Sequence, residues 1–302
     1  MYFTFIRYRK IFYAISILLV FLSVLSIAFF GLKLGIDFTG GTLLEVNYQE
    51  GPPSSEEIKE KLNDLDLGEV VIRRSGNTGL ILKMKVVDEN LHQQIIEKIG
   101  ELGRLEQGSE GFQTIGPIIG QELKRKTKIV VSMALIAILL YIAFSFRRIS
   151  RPVKSYVYGI TGVIALFHDV LIPLGVFAVL GRFYGIEITI PVITAFLTVF
   201  GYSINDSVVV FDRIRENLLR LHSPTFELTV EKSLNQTLVR SLNISFTTLF
   251  VLFAIFFLGG ESLKYFSLAL ILGITLGTYS SLFLASPLLV SYYELRQRKY
   301  KR

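Results

Sequence analysis

The chain has 302 residues, of which 51% are apolar, 13% aromatic and 19% charged, with a formal net charge of +7 and no cysteine. Soluble globular proteins usually carry about 25% charged residues, whereas six segments of this chain, 135 residues in all, hold only two charged side chains, Asp169 and Asp206. This distribution excludes a soluble enzyme, a secreted domain and a nucleic-acid binder, and the lack of cysteine excludes disulfides, thiolate metal sites and cysteine nucleophiles.

The apolar segments are long enough to cross a membrane. A run of about 18 or more apolar residues spans the hydrocarbon core of a bilayer as a helix. The predicted spans are residues 11–30, 129–146, 155–180, 188–211, 234–258 and 265–293. The fifth span includes Arg240, and only its part from residue 241 onward belongs to the 135 residues counted above. We therefore predict an α-helical polytopic membrane protein with six transmembrane helices. The first span is expected to stay as an uncleaved anchor, because its core is too long for a signal peptide.

The distribution of Lys and Arg predicts the orientation of these spans. Segments 1–10, 147–154, 212–240 and 294–302 together hold 17 Lys and Arg, while the two short loops on the other side hold one each. Because short cytoplasmic loops are rich in Lys and Arg, we expect both termini in the cytoplasm. Residues 212–233 mix charges with Leu and Ile, which predicts an amphipathic helix on the membrane surface; a docking site for a soluble partner is the alternative.

The segment between the first two spans, residues 31–128, is predicted to form a small extracytoplasmic domain with a tether at each end. Strand patterns occur at residues 43–48, 69–74, 80–87 and 111–115, and helix patterns at 54–65 and 88–102. Ser54 or Ser55 is the expected N-cap of the first helix. The order β-α-β-β-α-β is that of the α+β ferredoxin-like fold.

Asp206 is the clearest functional candidate, because an ionisable group inside a membrane span costs about 2.5–3.5 kcal/mol on insertion scales. A stripe of small and polar residues at helical spacing leads to it and is expected to face other helices. The stripe consists of Thr194, Thr198, Gly201 and Asn205. Arg240 lies at a matching depth in the fifth span, so we expect an Asp206–Arg240 pair that opens and closes with protonation of the carboxyl. A static, merely neutralising pair is the alternative.

Two further features lie inside the spans. His168 and Asp169 are neighbours in the third span, and they fit either a proton relay or a pair of helix-bridging hydrogen bonds. No second His lies at ligand spacing, so a metal site is not expected. In the last span, small residues recur at every fourth position, which predicts close helix packing. These residues are Ala269, Gly273, Gly277, Ser281 and Ala285.

Five short blocks point to a known family. They are residues 35–42 (GIDFTGGT), 116–120 (GPIIG), 165–170 (ALFHDV), 201–217 (GYSINDSVVVFDRIREN) and 234–241 (LNQTLVRS). In this order, and at these spans, they resemble the SecF family of the bacterial Sec protein-export machinery. The resemblance covers nearly the whole chain.

The resemblance implies one half of an RND-type transporter in the bacterial inner membrane. Its implied partners are SecD, the SecYEG channel, YajC and the preproteins being exported. It implies a transport subunit rather than an enzyme, driven by the proton gradient without a cofactor. Asp206 and Arg240 match the family's proton-pathway Asp and Arg. The motif segments that tether the extracytoplasmic domain contain Asp37, Phe38, Thr39, Gly40 and Gly41 on one side and Gly116, Pro117 and Gly120 on the other.

Three rival interpretations remain at this point. An RND-like half-transporter for a lipid or small molecule would be expected to have a larger exported portion. An intramembrane aspartyl protease would use Asp169 and Asp206, but it requires Gly-x-Gly-Asp, whereas Asp206 follows Ser-Ile-Asn. A scaffold of the translocation channel without proton coupling would tolerate replacement of Asp206.

Overall fold

The computed structural model describes residues 3–145, 152–220 and 224–300. The chain forms two compact units. The helical unit comprises Met1–Lys33 and Val131–Arg302, and the small unit comprises Leu34–Val130. This division agrees with a separate domain inserted after the first predicted span.

The elements follow one another in chain order. They are α1 (Arg9–Phe30), α2 (Ile36–Thr39), β1 (Gly41–Asn47), α3 (Ser55–Leu62), β2 (Val71–Ser75), β3 (Gly79–Met84), α4 (Glu89–Gly100), β4 (Gly111–Ile115), α5 (Pro117–Ser145), α6 (Ser155–Tyr184), α7 (Ile190–Arg220), α8 (Phe226–Leu258), α9 (Glu261–Ser280), a π-helical turn (Ser281–Ala285) and α10 (Ser286–Tyr300).

The small unit has the predicted ferredoxin-like topology. Its sheet is antiparallel with the order β2-β3-β1-β4. Alternate side chains of β1 and β3, such as Leu44 and Leu82, form one core with Ile58 of α3 and Ile95 of α4. Ser54 caps α3, because its hydroxyl accepts from the backbone N–H of Glu57 and the Glu57 carboxylate accepts from the backbone N–H of Ser54. This reciprocal capping box satisfies two backbone donors at the helix start.

The helical unit contains five membrane-length segments within the described residues. They are α1, α6, α7, α8 and the continuous stretch Leu263–Lys299 formed by α9, the π turn and α10. The second predicted span, residues 129–146, forms the end of α5 as far as Ser145, and its last residue lies outside the described residues. Five spans are therefore supported, and the sixth stays a prediction.

The last span lies at the centre of the helical unit. Helix α9 packs against α6, α7 and α8, while α1 packs against α6 and the π turn. The α1–α6 contact is close, since a Cβ at Gly175 would lie 2.5 Å from the Cα of Ser23. Small residues thus allow the two backbones to pack closely. In a membrane this packing takes the place of the hydrophobic effect, which does not drive helices together in lipid.

The connection between the fourth and fifth spans differs from the surface helix expected over residues 212–233, of which 221–223 lie outside the described residues. Helix α7 continues to Arg220 and α8 already begins at Phe226. Asn217 at the end of α7 donates to Ser233 Oγ (2.8 Å) and to Gln236 Oε1 (2.7 Å) of α8. The charged residues of this segment therefore extend the two spanning helices, because inter-helix hydrogen bonds hold their polar ends side by side.

Candidate functional site

Asp206 lies inside the helical unit near the middle of α7. Its side chain is 8% exposed, and its Oδ2 accepts a hydrogen bond of 2.6 Å from the hydroxyl of Ser281. The Ser241 hydroxyl of α8 also lies beside this carboxyl, but it is buried without a well-formed hydrogen bond among the described residues. A carboxylate has room for about four donors, so Asp206 is a sparsely coordinated carboxyl within the membrane-spanning bundle.

Asp169 of α6 forms a second buried carboxyl with more partners. It is 0% exposed and its Oδ2 accepts from the hydroxyls of Ser203 and Ser280, both at 2.6 Å. Nδ1 of His168 lies 2.9 Å from its Oδ1. These bonds connect α6 with α7 and α9. The structure thus places the two predicted intramembrane carboxyls in one polar cluster.

Ser280 and Ser281 connect the two carboxyls. They are adjacent in sequence, and each donates to a different carboxylate. Ser281 is also the first residue of the π turn, and its carbonyl accepts a bond of 3.0 Å from the Ser286 hydroxyl. Single π turns inside α-helices are rare and occur frequently at functional sites.

The expected Asp206–Arg240 pair is not formed. Among the described residues, Arg240 makes no hydrogen bond or ion pair, and its side chain is exposed. The matching depth of Asp206 and Arg240 in their spans gave only their positions along the helix axes, and it did not determine which way each side chain points. Successive residues of a helix point about 100° apart, and α8 turns Ser241, rather than Arg240, towards Asp206.

Arg240 belongs to a polar face formed by α7 and α8. Its members are exposed at helical spacing: Thr194, Thr198, Gly201 and Asn205 on α7, and Gln236, Arg240, Asn243 and Thr247 on α8. A cavity of about 390 Å³, lined by residues such as Val208, Asp212 and Arg240, joins the two helices here. The α7 stripe was expected to pack against other helices, but in the described part of this chain no helix covers it.

Two of the predicted packing residues of the last span, Gly273 and Gly277, face α7. A Cβ at Gly273 would overlap the methyl groups of Val199, and one at Gly277 would lie 3.4 Å from the Cα of Ser203. Both positions therefore allow close approach of α7 and α9. Ser281, predicted only as a packing residue, also binds Asp206.

The two predicted tether motifs meet within the small unit. Asp37, Phe38 and Thr39 lie in the short helix α2, and Gly40 follows it with φ of 73°. A Cβ at Gly40 would lie 2.9 Å from the Cα of Pro117, and one at Gly120 would lie 2.9 Å from the backbone N of Gly40. Gly41 and Gly116 flank this contact, and a Cβ at Gly116 would meet open space. The motif glycines thus permit backbone-to-backbone packing of the chain entering and leaving the domain.

Sequence reasoning missed the serines of the cluster and one acidic residue. Ser203, Ser241 and Ser280 gave no individual signal, although each lies three or four residues from another small or polar residue on its helix. Glu231 was counted only among the charges of the cytoplasmic segment. Its carboxylate in fact accepts from the backbone N–H groups of Phe5 (2.8 Å) and Ile6 (3.0 Å) and holds the start of the chain against α8.

A bundle of membrane-length helices with ionisable groups in its interior, joined to a ferredoxin-like domain, defines a polytopic membrane protein of the kind that includes ion-coupled transporters. Comparison with known proteins narrows this class. Residues 92–295 match the family described as protein export membrane protein SecD/SecF, C-terminal, and residues 25–51 match the SecD/SecF GG motif.

Relatives and solved structures agree with these matches. The chain is 40% identical to protein translocase subunit SecF of Thermobaculum terrenum, covering 95% of this chain and 93% of the relative. It is 38% identical to SecF of Desulfurispirillum indicum, covering 96% and 91%. The crystal structure of SecDF from Thermus thermophilus, a translocon-associated membrane protein, superposes with a TM-score of 0.82 at 34% identity, covering 97% of this chain and 39% of the SecDF chain.

The chain belongs to the SecD/SecF family of protein export membrane proteins, on its SecF side. Its role is in Sec-dependent protein export, as a transport subunit in the bacterial inner membrane. The resemblance seen in the five sequence blocks is confirmed.

Proposed function

We propose that this subunit associates with SecD to form an RND-type assembly that uses the proton gradient to promote late steps of preprotein translocation through the SecYEG channel. YajC is a further candidate partner, and both termini lie in the cytoplasm. The observation that carries the proposal is Asp206, a buried carboxyl in the middle of α7, next to a polar face that the chain itself leaves open.

The position of Asp206 suits a proton-binding group. It lies fourteen residues from the end of α7 at Arg220, and Arg240 lies fourteen residues from the start of α8 at Phe226. At 1.5 Å per residue both are about 21 Å from those helix ends. Part of this distance belongs to the charged ends of the two helices, which begin at Asp212 on α7 and end at Lys232 on α8. A buried charge inside a membrane-spanning bundle is costly, whereas a protonated carboxyl is not, so proton binding changes the energetics of the bundle.

The polar face supports SecD as the partner. Polar and small residues in membrane spans pack against other helices rather than lipid, and here Asn205, Arg240 and Asn243 are exposed within the described chain. From a third helix, the end of α5, Ser145 lines the cavity beside Arg240. The SecDF chain of Thermus thermophilus is much longer than this one, which covers 39% of it. SecD helices lying on this face would place their polar groups beside Arg240 and Asn205, and protonation of Asp206 behind them would alter that contact.

The small unit is proposed to act on the exported chain outside the membrane. The Gly40–Pro117 and Gly40–Gly120 contacts hold its two tethers together. A rearrangement of the spans would therefore move both tethers at once.

One proton crossing 100 mV supplies only about 2.3 kcal/mol. The work is therefore done in many small, biased steps.

The test is late-stage export in proteoliposomes that contain the Sec channel, the matching SecD and this chain, with and without a proton gradient. Asp206→Asn is expected to abolish the stimulation by the gradient while leaving export without a gradient unchanged. Glu227→Gln is the matched control, because Glu227 is an exposed carboxylate of the same unit and does not line the cavity beside Arg240. Equal stimulation with Asp206→Asn would make the subunit a scaffold and assign energy conversion to another component.

Arg240→Gln tests the SecD contact separately from proton binding at Asp206. If Arg240 acts at the SecD contact, this variant loses the stimulation of export measured with SecD, while the chain purified without SecD keeps its fold. A loss of stability of the isolated chain would contradict the exposed position of Arg240.

A further inference from the structure

Asp169 and His168 form the most enclosed ionisable pair of the helical unit, at 0% and 3% exposure. We propose that this pair is a second proton-binding site and that Ser280 and Ser281 couple it to Asp206. The inference deepens the proposed function and rests on it, since the ligand is the same proton. It differs in assigning proton binding to α6 as well as α7.

His168 offers an acceptor atom that nothing else in the described chain uses. When its Nδ1–H donates to Asp169, the neutral ring keeps a lone pair on Nε2. This Nε2 is buried and has no hydrogen-bond partner among the described residues. The ring is held in place by stacking on Tyr279, with 5.8 Å between ring centroids. Buried polar atoms without partners are uncommon, and an unpaired imidazole nitrogen beside a carboxyl is suited to bind a proton.

Each serine hydroxyl has one hydrogen to donate and two acceptors within reach. Ser281 Oγ is 2.6 Å from Asp206 Oδ2 and 3.1 Å from the carbonyl of Thr278. Ser280 Oγ is 2.6 Å from Asp169 Oδ2 and 3.2 Å from the carbonyl of Gly277. When a carboxyl takes up a proton it becomes a donor, and the hydroxyl is free to turn to its own helix.

The coupling passes through one peptide bond. Ser281 begins the π turn and Ser280 ends α9, so a change in the bond at Ser281 alters the local backbone that positions Ser280. Serine bonds to the preceding turn bend helices, and a π turn is a place where helix register can change. The arrangement links proton binding at Asp206 to hydrogen bonding at Asp169.

Few other titratable groups face this cluster. From α7 it is Tyr202, whose hydroxyl lies 3.1 Å from Ser245 Oγ, and from α9 it is Tyr279, stacked on His168. Within the described residues, α1 and α8 contribute only hydroxyls, Ser16 to Tyr279 and Ser241 beside Asp206. The pH response of the cluster therefore belongs to Asp169, His168 and Asp206.

The experiment is an infrared titration of the carboxylic C=O bands in the full-length chain, purified in lipid nanodiscs without SecD. Exposed Asp and Glu side chains titrate near pH 4, so the components that appear above this range come from buried carboxyls. Among these components, Asp169→Asn is expected to remove one and Asp206→Asn another. Each substitution should shift the proton affinity of the remaining carboxyl by about 5- to 150-fold, the usual range for coupled sites. His168→Gln should shift the Asp169 component, and it provides a milder variant if Asp169→Asn is not monodisperse.

A double-mutant cycle then tests the serines. In the Ser280→Ala, Ser281→Ala background, the effect of Asp169→Asn on the Asp206 titration should be reduced several-fold. Ser267→Ala is the matched control, because within the described part of the chain this buried serine of α9 bonds only to its own helix, at the Lys264 carbonyl. It should leave the effect unchanged.

Three results would overturn the inference. They are a missing Asp169 component over the accessible pH range, an Asp206 titration that Asp169→Asn does not move, and a mutual effect that the alanine background leaves at full size. The last result would mean that the carboxyls interact through space alone. Failure of the proposed function is separate, since it is measured as export with Asp206→Asn and does not affect the infrared cycle.

Discussion

The hydroxyl of Ser281 donates a 2.6 Å hydrogen bond to Asp206 at the residue where the last span changes from an α-helix to a π turn. A π turn bonds residue i to i+5 rather than i+4, so the ladder of small residues, regular in sequence, changes direction after Ser281. The part before it, with Gly273 and Gly277, packs on α7, and the π turn itself contacts α1, α6 and α7. The carboxyl thus lies where the central helix changes its register.

Gly273→Ala is expected to destabilise the helical unit. The new Cβ would overlap the methyl groups of Val199, a buried β-branched residue whose side chain has little freedom in a helix. Overpacking of this kind costs about 1–3 kcal/mol. The measurement is the thermal unfolding of the purified chain in detergent. Val199→Ala in the same protein should restore part of the loss, and a Gly273→Ala protein as stable as wild type would contradict the close α7–α9 packing.

Gly201→Leu, unlike Gly273→Ala, is expected to leave the stability of the chain unchanged and to weaken the contact with SecD. A Cβ at this position meets open space, so the isolated chain should keep its thermal stability. Because Gly201 lies on the polar face, the larger side chain should weaken co-purification with SecD. Phe257→Leu, on the exposed apolar surface of α8, is the control and should leave the association unchanged. Undiminished SecD binding by Gly201→Leu would move the partner contact elsewhere.

The small unit could be predicted from the sequence because its local signals agree with one another. Turn residues, alternating strands and the Ser54–Glu57 capping box all lead to the same topology, and β4 has the bounds that its pattern predicted. Strand and helix ends elsewhere shifted by a few residues, as hydrogen bonding rather than pattern decides where an element stops.

The site could be predicted in part. Charge scarcity identified Asp206 and Asp169, because an ionisable residue stands out in an apolar span. Their partners could not be found in the same way. Which side of α8 faces Asp206 depends on packing around the helix axis, so Ser241 rather than Arg240 lies beside it. The π turn has no compositional signature, and Ser280 gains its role only through it.

Glu231→Ala is expected to release the start of the chain from α8. The carboxylate accepts from two buried backbone N–H groups, those of Phe5 and Ile6, and a hydrogen bond to a charged group contributes about 1.5–3 kcal/mol. The measurement is the rate of trypsin cleavage after Arg7, the basic residue that precedes α1, in the intact protein. Glu227→Ala, an exposed carboxylate one turn earlier, should cleave as slowly as wild type. Equal rates for both variants would show that other contacts hold the segment.

Tyr48 should give the small unit a defined alkaline transition. It is the one tyrosine within residues 34–130, and the chain has no tryptophan. Its side chain is 1% exposed, and its hydroxyl donates to the carbonyl of Ile99 at 3.0 Å. Burial raises the pKa of Tyr48 to about 12, from 10.0 in water. Tyrosinate absorbance of a fragment with these residues, whose core is its own, therefore reports on this group alone.

The sign of the effect follows from the neutral form being favoured in the folded state. Stability from this group is fully present below pH 10 and is lost as the pH rises towards 12, a difference of about 2–3 kcal/mol for two pKa units. We expect the folded fragment to titrate near 12 and the urea-unfolded fragment near 10. Tyr48→Phe should remove the absorbance change and, by losing the bond to Ile99, lower the free energy of unfolding at neutral pH by about 1 kcal/mol. A folded fragment that titrates near 10 would contradict the enclosed position of Tyr48.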